Sequence, residues 1–98
     1  MEVSYRDSSL DQLEVDTGFD AGFSRAVVKA YRKRIQMIRA AVDERAFYAL
    51  KSLHFEKLKG DRKGQYSMRL NDQWRLILKL RKKGSETTAD IVSIEDYH

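Results

Sequence analysis

The stretch from Gln65 to Leu80 contains two runs of alternating apolar and polar side chains, separated by Asn71-Asp72. The apolar positions are Tyr66, Met68 and Leu70 in the first run, and Trp74, Leu76, Leu78 and Leu80 in the second. Alternation with a period of two indicates two strands, each buried on one face, and the Asn-Asp pair between them is a turn signal. The stretch is therefore predicted to form a β-hairpin around which the rest of the chain packs.

Burying both apolar sets on one face also determines how the two strands pair. Met68 must then lie opposite Leu76, across a loop of about three residues. The same register places Arg69 directly opposite Arg75 on the other face. Because like charges that face each other destabilise a sheet, we expect this arginine pair to bind an anion, and we interpret it as a phosphate site.

Composition limits the class of protein. The chain has 98 residues, of which 42% are hydrophobic and 35% charged, as in a single globular domain spanning residues 1–98. A formal net charge of +4 favours a polyanionic partner. The absence of cysteine excludes disulfide bonds and thiolate metal sites and fits a reducing compartment. Since no signal-peptide pattern or membrane-length apolar run is present, we expect a cytoplasmic protein with no membrane partner.

The remaining elements are predicted from local patterns. An alternating run predicts a first strand over Glu2–Arg6, and a β-branched run predicts a last strand over Ala89–Ile94. Between the first strand and the hairpin, helical periodicity predicts helices over Ser9–Asp16, Arg25–Val42 and Asp43–Leu50. This order predicts an α+β domain with an antiparallel sheet of about four strands. The N-terminal helices cover one face of the sheet and leave the other face open.

The helix predicted over Arg25–Val42 carries a basic stripe. Its members are Arg25, Lys29, Arg32, Lys33 and Arg39. One interpretation is contact with nucleic acid or an acidic partner. The other, which we favour, is a solvated helix face, because exposed Lys and Arg are common on helices.

A basic loop, Lys57–Lys63, precedes the hairpin and holds four cations in seven residues. It lacks the G-x-x-x-x-G-K-[ST] pattern of a nucleotide-binding P-loop. Gly60 allows a backbone conformation with positive φ, so the neighbouring Lys59 can bring its ammonium group to a phosphate held by the arginine pair. An ordinary charged loop is an equally good interpretation of the spacing.

The two histidines of the chain lie far apart in the sequence. With no H-E-x-x-H pattern and no clustered carboxylates, we expect no metal site. His54 is flanked by Leu53 and Phe55, and we interpret it as a turn or rim residue. His98 follows the last predicted strand closely enough to be held near the sheet, and Tyr97 beside it can stack on a nucleic-acid base.

The run from Leu58 to Arg75 reads LKGDRKGQYSMRLNDQWR, and the chain later carries Asp-Tyr-His at 96–98. These motifs resemble the HigB branch of the RelE toxin superfamily. The resemblance implies a toxin of a bacterial type II toxin–antitoxin system. Its expected activity is ribosome-dependent, metal-independent endonucleolytic cleavage of mRNA in the A site. Its expected partner is a helix-turn-helix antitoxin of the HigA type, and operator DNA would be bound only through that antitoxin.

The same resemblance assigns roles by position. The catalytic set comprises Lys59, Arg69, Arg75, Tyr97 and His98. Independently of the resemblance, the other cations of the basic loop, Lys57, Arg62 and Lys63, are predicted to bind substrate. One departure concerns Glu56, which stands where some relatives carry a histidine. His54 lies two positions too early to take over that role.

The expected chemistry needs no cofactor. The 2′-hydroxyl of RNA attacks the adjacent phosphorus, so the protein must orient the backbone, stabilise charge on the phosphate and move two protons. Lys59, Arg69 and Arg75 can serve the first two needs, and His98 is the candidate for moving a proton. This mechanism leaves a 2′,3′-cyclic phosphate.

Two other functions stay open. The first is a toxin resembling ParE, which shares the fold and poisons DNA gyrase. The second is a non-catalytic module that binds nucleic acid. The cation set and the terminal histidine argue against the first, because a gyrase-binding protein has no evident need for them.

Overall fold

A computed structural model of the chain describes residues 1–96, so the predictions for Tyr97 and His98 lie outside the described residues. The helices are α1 (Ser8–Val15), α2 (Arg25–Ala40) and α3 (Arg45–Ala49). The strands are β1 (Glu2–Tyr5), β2 (Glu56–Lys57), β3 (Gln65–Arg69), β4 (Trp74–Lys83) and β5 (Glu86–Asp96). No helix within this part of the chain is both long enough and apolar enough to cross a membrane.

The strands form one sheet in the order β1-β5-β4-β3-β2. The α+β class is confirmed, but the sheet has five strands and is mixed, since β1 runs parallel to β5. The two-residue strand β2 is too short to show an alternating pattern in the sequence. The direction of β1 was also not predictable, because alternation shows which face of a strand is buried and not which way the strand runs.

The register predicted for the central hairpin is confirmed. Met68 lies opposite Leu76, and Arg69 lies opposite Arg75. Both apolar side chains are fully buried beneath the helices. The hydrophobic pattern alone therefore placed the two arginines opposite each other on the face away from the helices, which is called the open face below.

The turn between β3 and β4 is held by one side chain. Asn71 accepts hydrogen bonds through Oδ1 from the backbone N–H groups of Gln73 (2.9 Å) and Trp74 (2.8 Å). An asparagine that bonds its own chain two and three residues ahead mimics a backbone turn. This contact explains the turn signal in the sequence.

The β4–β5 hairpin extends beyond both predicted strands, to a two-residue turn at Gly84 and Ser85. Its pairing is interrupted by a bulge between Ile77, which lies opposite Ser93, and Leu78, which lies opposite Ile91. Val92 is therefore the extra residue of β5. A bulge bends its strand and adds one residue to the alternation on that side.

The core lies between the helices and one face of the sheet. The helices contribute Leu10, Leu13, Val27, Val28, Tyr31, Ile35, Ile38 and Phe47. The facing strands contribute Met68, Leu76, Leu78, Ala89 and Ile91. Tyr31, at the centre of the core, is fully buried and donates a hydrogen bond to the Leu10 carbonyl at 2.8 Å, so its polar group is satisfied.

Helix ends differ slightly from prediction. α1 begins at Ser8, since Asp7 accepts hydrogen bonds from the first free N–H groups of the helix, those of Ser9 and Leu10. α2 ends at Ala40, two residues before its predicted end at Val42, which is 79% exposed. Periodicity located the helices well, and the capping contacts set where they end.

Arg32 of the predicted basic stripe has a structural contact. Its guanidinium donates to the carbonyls of Leu13 (2.9 Å), Asp16 (2.9 Å) and Phe19 (3.3 Å). These groups lie at the C-terminal end of α1 and just beyond it, where carbonyls lack partners within the helix and a cation is favoured. Arg32 thus joins α2 to the end of α1.

Replacing Arg32 with Ala should therefore lower the free energy of unfolding by roughly 1–3 kcal/mol, the usual range for hydrogen bonds made by a charged group. The exposed neighbour Lys33 is the matched control, and Lys33→Ala should change the same quantity by less than about 0.5 kcal/mol. Urea unfolding of both variants measures the difference. Equal midpoints for the two variants would show that Arg32 does not stabilise this junction.

Candidate functional site

Arg75 is held rigidly on the open face. It is only 9% exposed. Its Nε donates to Oγ of the buried Ser67 at 2.7 Å, and its Nη2 donates to the His54 carbonyl at 2.7 Å. The Glu56 carboxylate lies 3.5 Å from the same Nη2. Several partners thus fix one guanidinium in a single orientation.

Arg69, directly opposite, is held more loosely. Its guanidinium pairs with the carboxylate of Asp72, a side chain that is 94% exposed. The Arg69 carbonyl accepts a hydrogen bond from Nε of Arg34 at 2.9 Å, which attaches α2 to the end of β3. Burial, together with the charge of Arg69, lowers the pKa of the Arg34 guanidinium below its usual value. This end of the hairpin therefore carries a concentration of positive charge.

The expected repulsion between Arg69 and Arg75 is thus offset within the protein. Each guanidinium has a carboxylate of its own, Asp72 for one and Glu56 for the other. The fold does not depend on a bound anion to tolerate the pair. The interpretation as a phosphate site stays a prediction, and it rests on the space between the two side chains.

That space is a hollow of about 250 Å³ on the open face. Its lining consists of His54, Arg69, Asn71, Asp72 and Arg75. Two arginines and a histidine thus line one small surface depression, and side chains of these types can bind a phosphodiester and exchange a proton with it.

His54 is an exposed turn residue, as predicted, and the structure adds that it lines the hollow. It is exposed and has a left-handed backbone conformation, with φ of 47° and ψ of 46°. A non-glycine residue in this region is uncommon and often marks a functional site. Its position depends on how the chain turns after a single 3₁₀ turn, Lys51–Leu53, so the local spacing of residues carries no signal for it.

The basic loop contributes to the site unevenly. Lys57, Lys59 and Lys63 are exposed, and none of the three is among the residues that line the hollow. Arg62 instead extends over the open face and forms a two-pronged ion pair with Glu95 of β5. The assignment of these four side chains to substrate or catalysis stays a prediction.

The basic stripe of α2 also divides into two groups. Arg32 and Arg39 bond within the protein, the latter to Glu14 at 2.8 Å. Arg25, Lys29 and Lys33 are exposed and line a cleft of about 600 Å³ between α2 and the loop at residues 17–20. Within residues 1–96, no group of three or more His, Cys, Asp or Glu side chains is arranged to hold a metal ion.

The two arginines of the hollow should respond differently to substitution. Arg75→Ala should lower the free energy of unfolding by roughly 1–3 kcal/mol, because Ser67 Oγ and the His54 carbonyl lose a charged donor. Arg69→Ala should change it by less than about 1 kcal/mol, because the Asp72 partner is exposed to water. Urea unfolding compares the two, and a larger loss for Arg69→Ala would contradict the distinction between a rigid and a loose arginine.

Comparison with known proteins places the chain in a family. The model of the HigB-like toxins, described as RelE-like toxins of type II toxin–antitoxin systems, matches residues 3–98. No curated protein sequence matches the chain significantly.

Solved structures share its fold at low sequence identity. The YoeB/ParE toxin from Agrobacterium tumefaciens has a TM-score of 0.63 at 20% identity, covering 100% of both chains. YafQ from E. coli has a TM-score of 0.59 at 14% identity, covering 97% of this chain and 91% of its own. The YoeB–YefM complex from Staphylococcus aureus contributes a chain with a TM-score of 0.58 at 19% identity, with coverage of 100% and 97%.

The structural neighbours thus confirm a RelE/YoeB-like fold, in agreement with the motif resemblance. The match to the family model extends over nearly the whole length of the sequence. The chain therefore belongs to the HigB-like family of RelE-like toxins from type II toxin–antitoxin systems.

Proposed function

We propose that this toxin is a ribosome-dependent, metal-independent endoribonuclease that cleaves mRNA in the ribosomal A site. Family membership supports the role in translation. One observation supports the chemistry above all others: Arg69 and Arg75 lie opposite each other and line one hollow on the open face.

The hollow suits a phosphodiester because its two arginines differ in mobility. Arg75 is already oriented by Ser67 and the His54 carbonyl, so it can bind a phosphate oxygen without losing further conformational freedom. Arg69 can exchange the exposed Asp72 carboxylate for another phosphate oxygen at little cost, since an exposed ion pair contributes little. Together they stabilise the negative charge that develops on the phosphorane.

The reaction needs one proton to leave the 2′-hydroxyl and one to reach the departing 5′-oxygen. The bond between phosphorus and the 2′-oxygen forms as the bond to the 5′-oxygen breaks, which leaves a 2′,3′-cyclic phosphate and a 5′-hydroxyl. His98 is our first candidate for a proton carrier. Among the described residues, His54 and Glu56 lie beside Arg75 and are the alternatives.

The exposed lysines of the basic loop are proposed to bind the substrate as well. Lys59 is proposed to stabilise charge at the scissile phosphate, while Lys57 and Lys63 bind the RNA backbone on either side. Tyr97 is proposed to stack on a base near the cleavage point. The family motif supports the choice of Lys59 and Tyr97, and the exposure of the three lysines leaves them accessible to RNA.

A helix-turn-helix antitoxin of the HigA type is the proposed partner, and both proteins would act in the cytoplasm with the ribosome. The YoeB–YefM complex supports such a pairing by analogy of fold. Co-purification of the chain with the product of a neighbouring antitoxin gene tests this. Absence of a complex would leave the chain without its expected partner.

Primer extension on mRNA from cells that express the chain tests the proposed activity. The wild type should produce cuts in phase with codons. Arg69→Ala, which we expect to fold normally, should abolish them, since the phosphate then loses one of its two guanidiniums. Gyrase-linked double-strand DNA breaks would instead identify a ParE-like toxin, and growth arrest without any nucleic-acid cleavage would identify a non-catalytic binder.

Substituting each histidine in turn distinguishes the roles of His98 and His54. His98→Ala should slow single-turnover cleavage of ribosome-bound mRNA about 10²–10⁴-fold, the usual contribution of general acid–base catalysis, and should leave ribosome binding unchanged. His54→Asn is the matched control, because Asn tolerates the left-handed backbone and keeps the carbonyl that Arg75 binds. We expect this variant to stay close to wild type.

The dependence of rate on pH gives a second readout for the same variants. Imidazole is the side chain that ordinarily changes charge between about pH 5 and pH 8. The variant that lacks the working histidine should lose the rate dependence in this range. Near-normal cleavage by His98→Ala, with a large loss in His54→Asn, would transfer the role to His54.

A further inference from the structure

We propose that Arg62 and Glu95 form a positioning pair that holds the basic loop, and with it Lys59, in place over the open face. In this view Arg62 acts through the loop and does not itself bind RNA. The inference rests on the proposed function for its catalytic readout, and on the described contacts for its structural one.

The contact between the two side chains is specific. Arg62 Nη1 lies 2.5 Å from Glu95 Oε1, and Nη2 lies 2.6 Å from Oε2. The same guanidinium donates through Nε (3.1 Å) and Nη2 (3.0 Å) to Oε1 of Gln65. A planar guanidinium that meets both carboxylate oxygens is fixed in direction as well as in distance, which a single ammonium contact does not achieve.

The contacts of Arg62 reach across the open face of the sheet. Gln65 lies in β3 and Glu95 in β5, with β4 between them. Two strand spacings amount to roughly 10 Å. Arg62 therefore bridges across β4, where Ile77 is fully buried although it belongs to the same face as Arg75.

The loop is consequently attached at two levels. At its base, the Leu58 N–H donates to the Gln65 carbonyl at 2.9 Å. At its tip, residues 60–62 form a 3₁₀ turn in which the Lys63 N–H bonds to the Gly60 carbonyl at 3.1 Å. Lys59 immediately precedes this turn. Fixing Arg62 within the turn therefore also fixes the backbone position from which the Lys59 side chain extends.

The charges of the pair favour a role for Arg62 in positioning the loop over a role in binding RNA directly. The hydrogen bonds from Arg62, with a further one from Ser93, hold the pKa of Glu95 below its ordinary value, so the carboxylate stays ionised at neutral pH. It therefore neutralises Arg62. Glu95 is also the cross-strand partner of Arg75, which places the acidic end of the pair beside the hollow.

Three variants test the pair: Arg62→Ala, Glu95→Gln and the double substitution. If the pair positions the loop, each single substitution should reduce kcat for cleavage up to about 100-fold, the cost of a misplacement near 1 Å. KM should change little, and the double variant should be no worse than either single one, since both remove the same contact. Exchange of the two residues, Arg62→Glu with Glu95→Arg, should recover part of kcat.

Direct RNA binding by Arg62 gives the opposite pattern. Arg62→Ala would then raise KM, while Glu95→Gln would keep kcat and lower KM by releasing a cation for the phosphate. That result would overturn the proposal. Arg62→Lys adds a finer check, because a single ammonium group should restore only part of kcat if the forked contact is needed.

Arg81 provides the matched control. It forms a similar forked pair with Asp90 (2.6 and 3.0 Å) farther along the sheet. Arg81→Ala should leave kcat unchanged. A loss equal to that of Arg62→Ala would show that any such ion pair on the sheet matters, and the positioning role would be rejected.

The rate of backbone hydrogen exchange at residues 58–64 tests the positioning role independently of the proposed nuclease activity. Exchange there should become faster in Arg62→Ala and Glu95→Gln, and should stay at the wild-type rate in Arg81→Ala. Unchanged exchange in the first two variants refutes the positioning role even if the wild type cleaves mRNA. Faster exchange together with an inactive wild type refutes the nuclease and leaves the loop-holding contact supported.

Discussion

Burial of one face of the β3–β4 hairpin determines much of what the protein presents on the other. Met68 and Leu76 must face the helices, and that requirement leaves Arg69 and Arg75 opposite each other. A hydrophobic constraint thereby produces an electrostatic one. Two guanidiniums in register have to be separated by partners of opposite charge, and the surrounding segments supply a carboxylate for each. The chemical character of the surface is in this sense a consequence of core packing.

The partners of the two arginines are of different kinds. Arg75 is fixed by the buried Ser67 hydroxyl and by the His54 carbonyl, which belongs to the main chain and has little freedom to move. The guanidinium of Arg69 pairs with the exposed carboxylate of Asp72. A site that combines one preoriented donor with one exchangeable donor can admit an anion without reorganising its core. The basic loop shows a similar division: Arg62 is bonded to Glu95, and the lysines are exposed.

Sequence patterns predicted what depends on periodicity and failed where distant segments meet. The hairpin register, the helices and the arginine pair all follow from alternation or helical spacing within a few residues. The place of His54 beside Arg75 and the contact between Arg62 and Glu95 join residues 21 and 33 positions apart. No local pattern encodes such contacts. The direction of β1 depended likewise on tertiary pairing, and the start of α1 at Ser8 depended on a single capping side chain, Asp7.

The bulge in β5 makes the length of that strand as important as its composition. Beyond Val92, the extra residue shifts the alternation by one, so that Glu95 shares a face with Arg75 and Ile94 packs against the core. If β5 kept Val92 and paired with β4 without the bulge, these two faces would be exchanged and the Glu95 carboxylate would turn towards the apolar interior. Natural variants of this segment should thus tolerate the loss of one residue better than the gain of one, because only a loss can be absorbed by removal of the bulge.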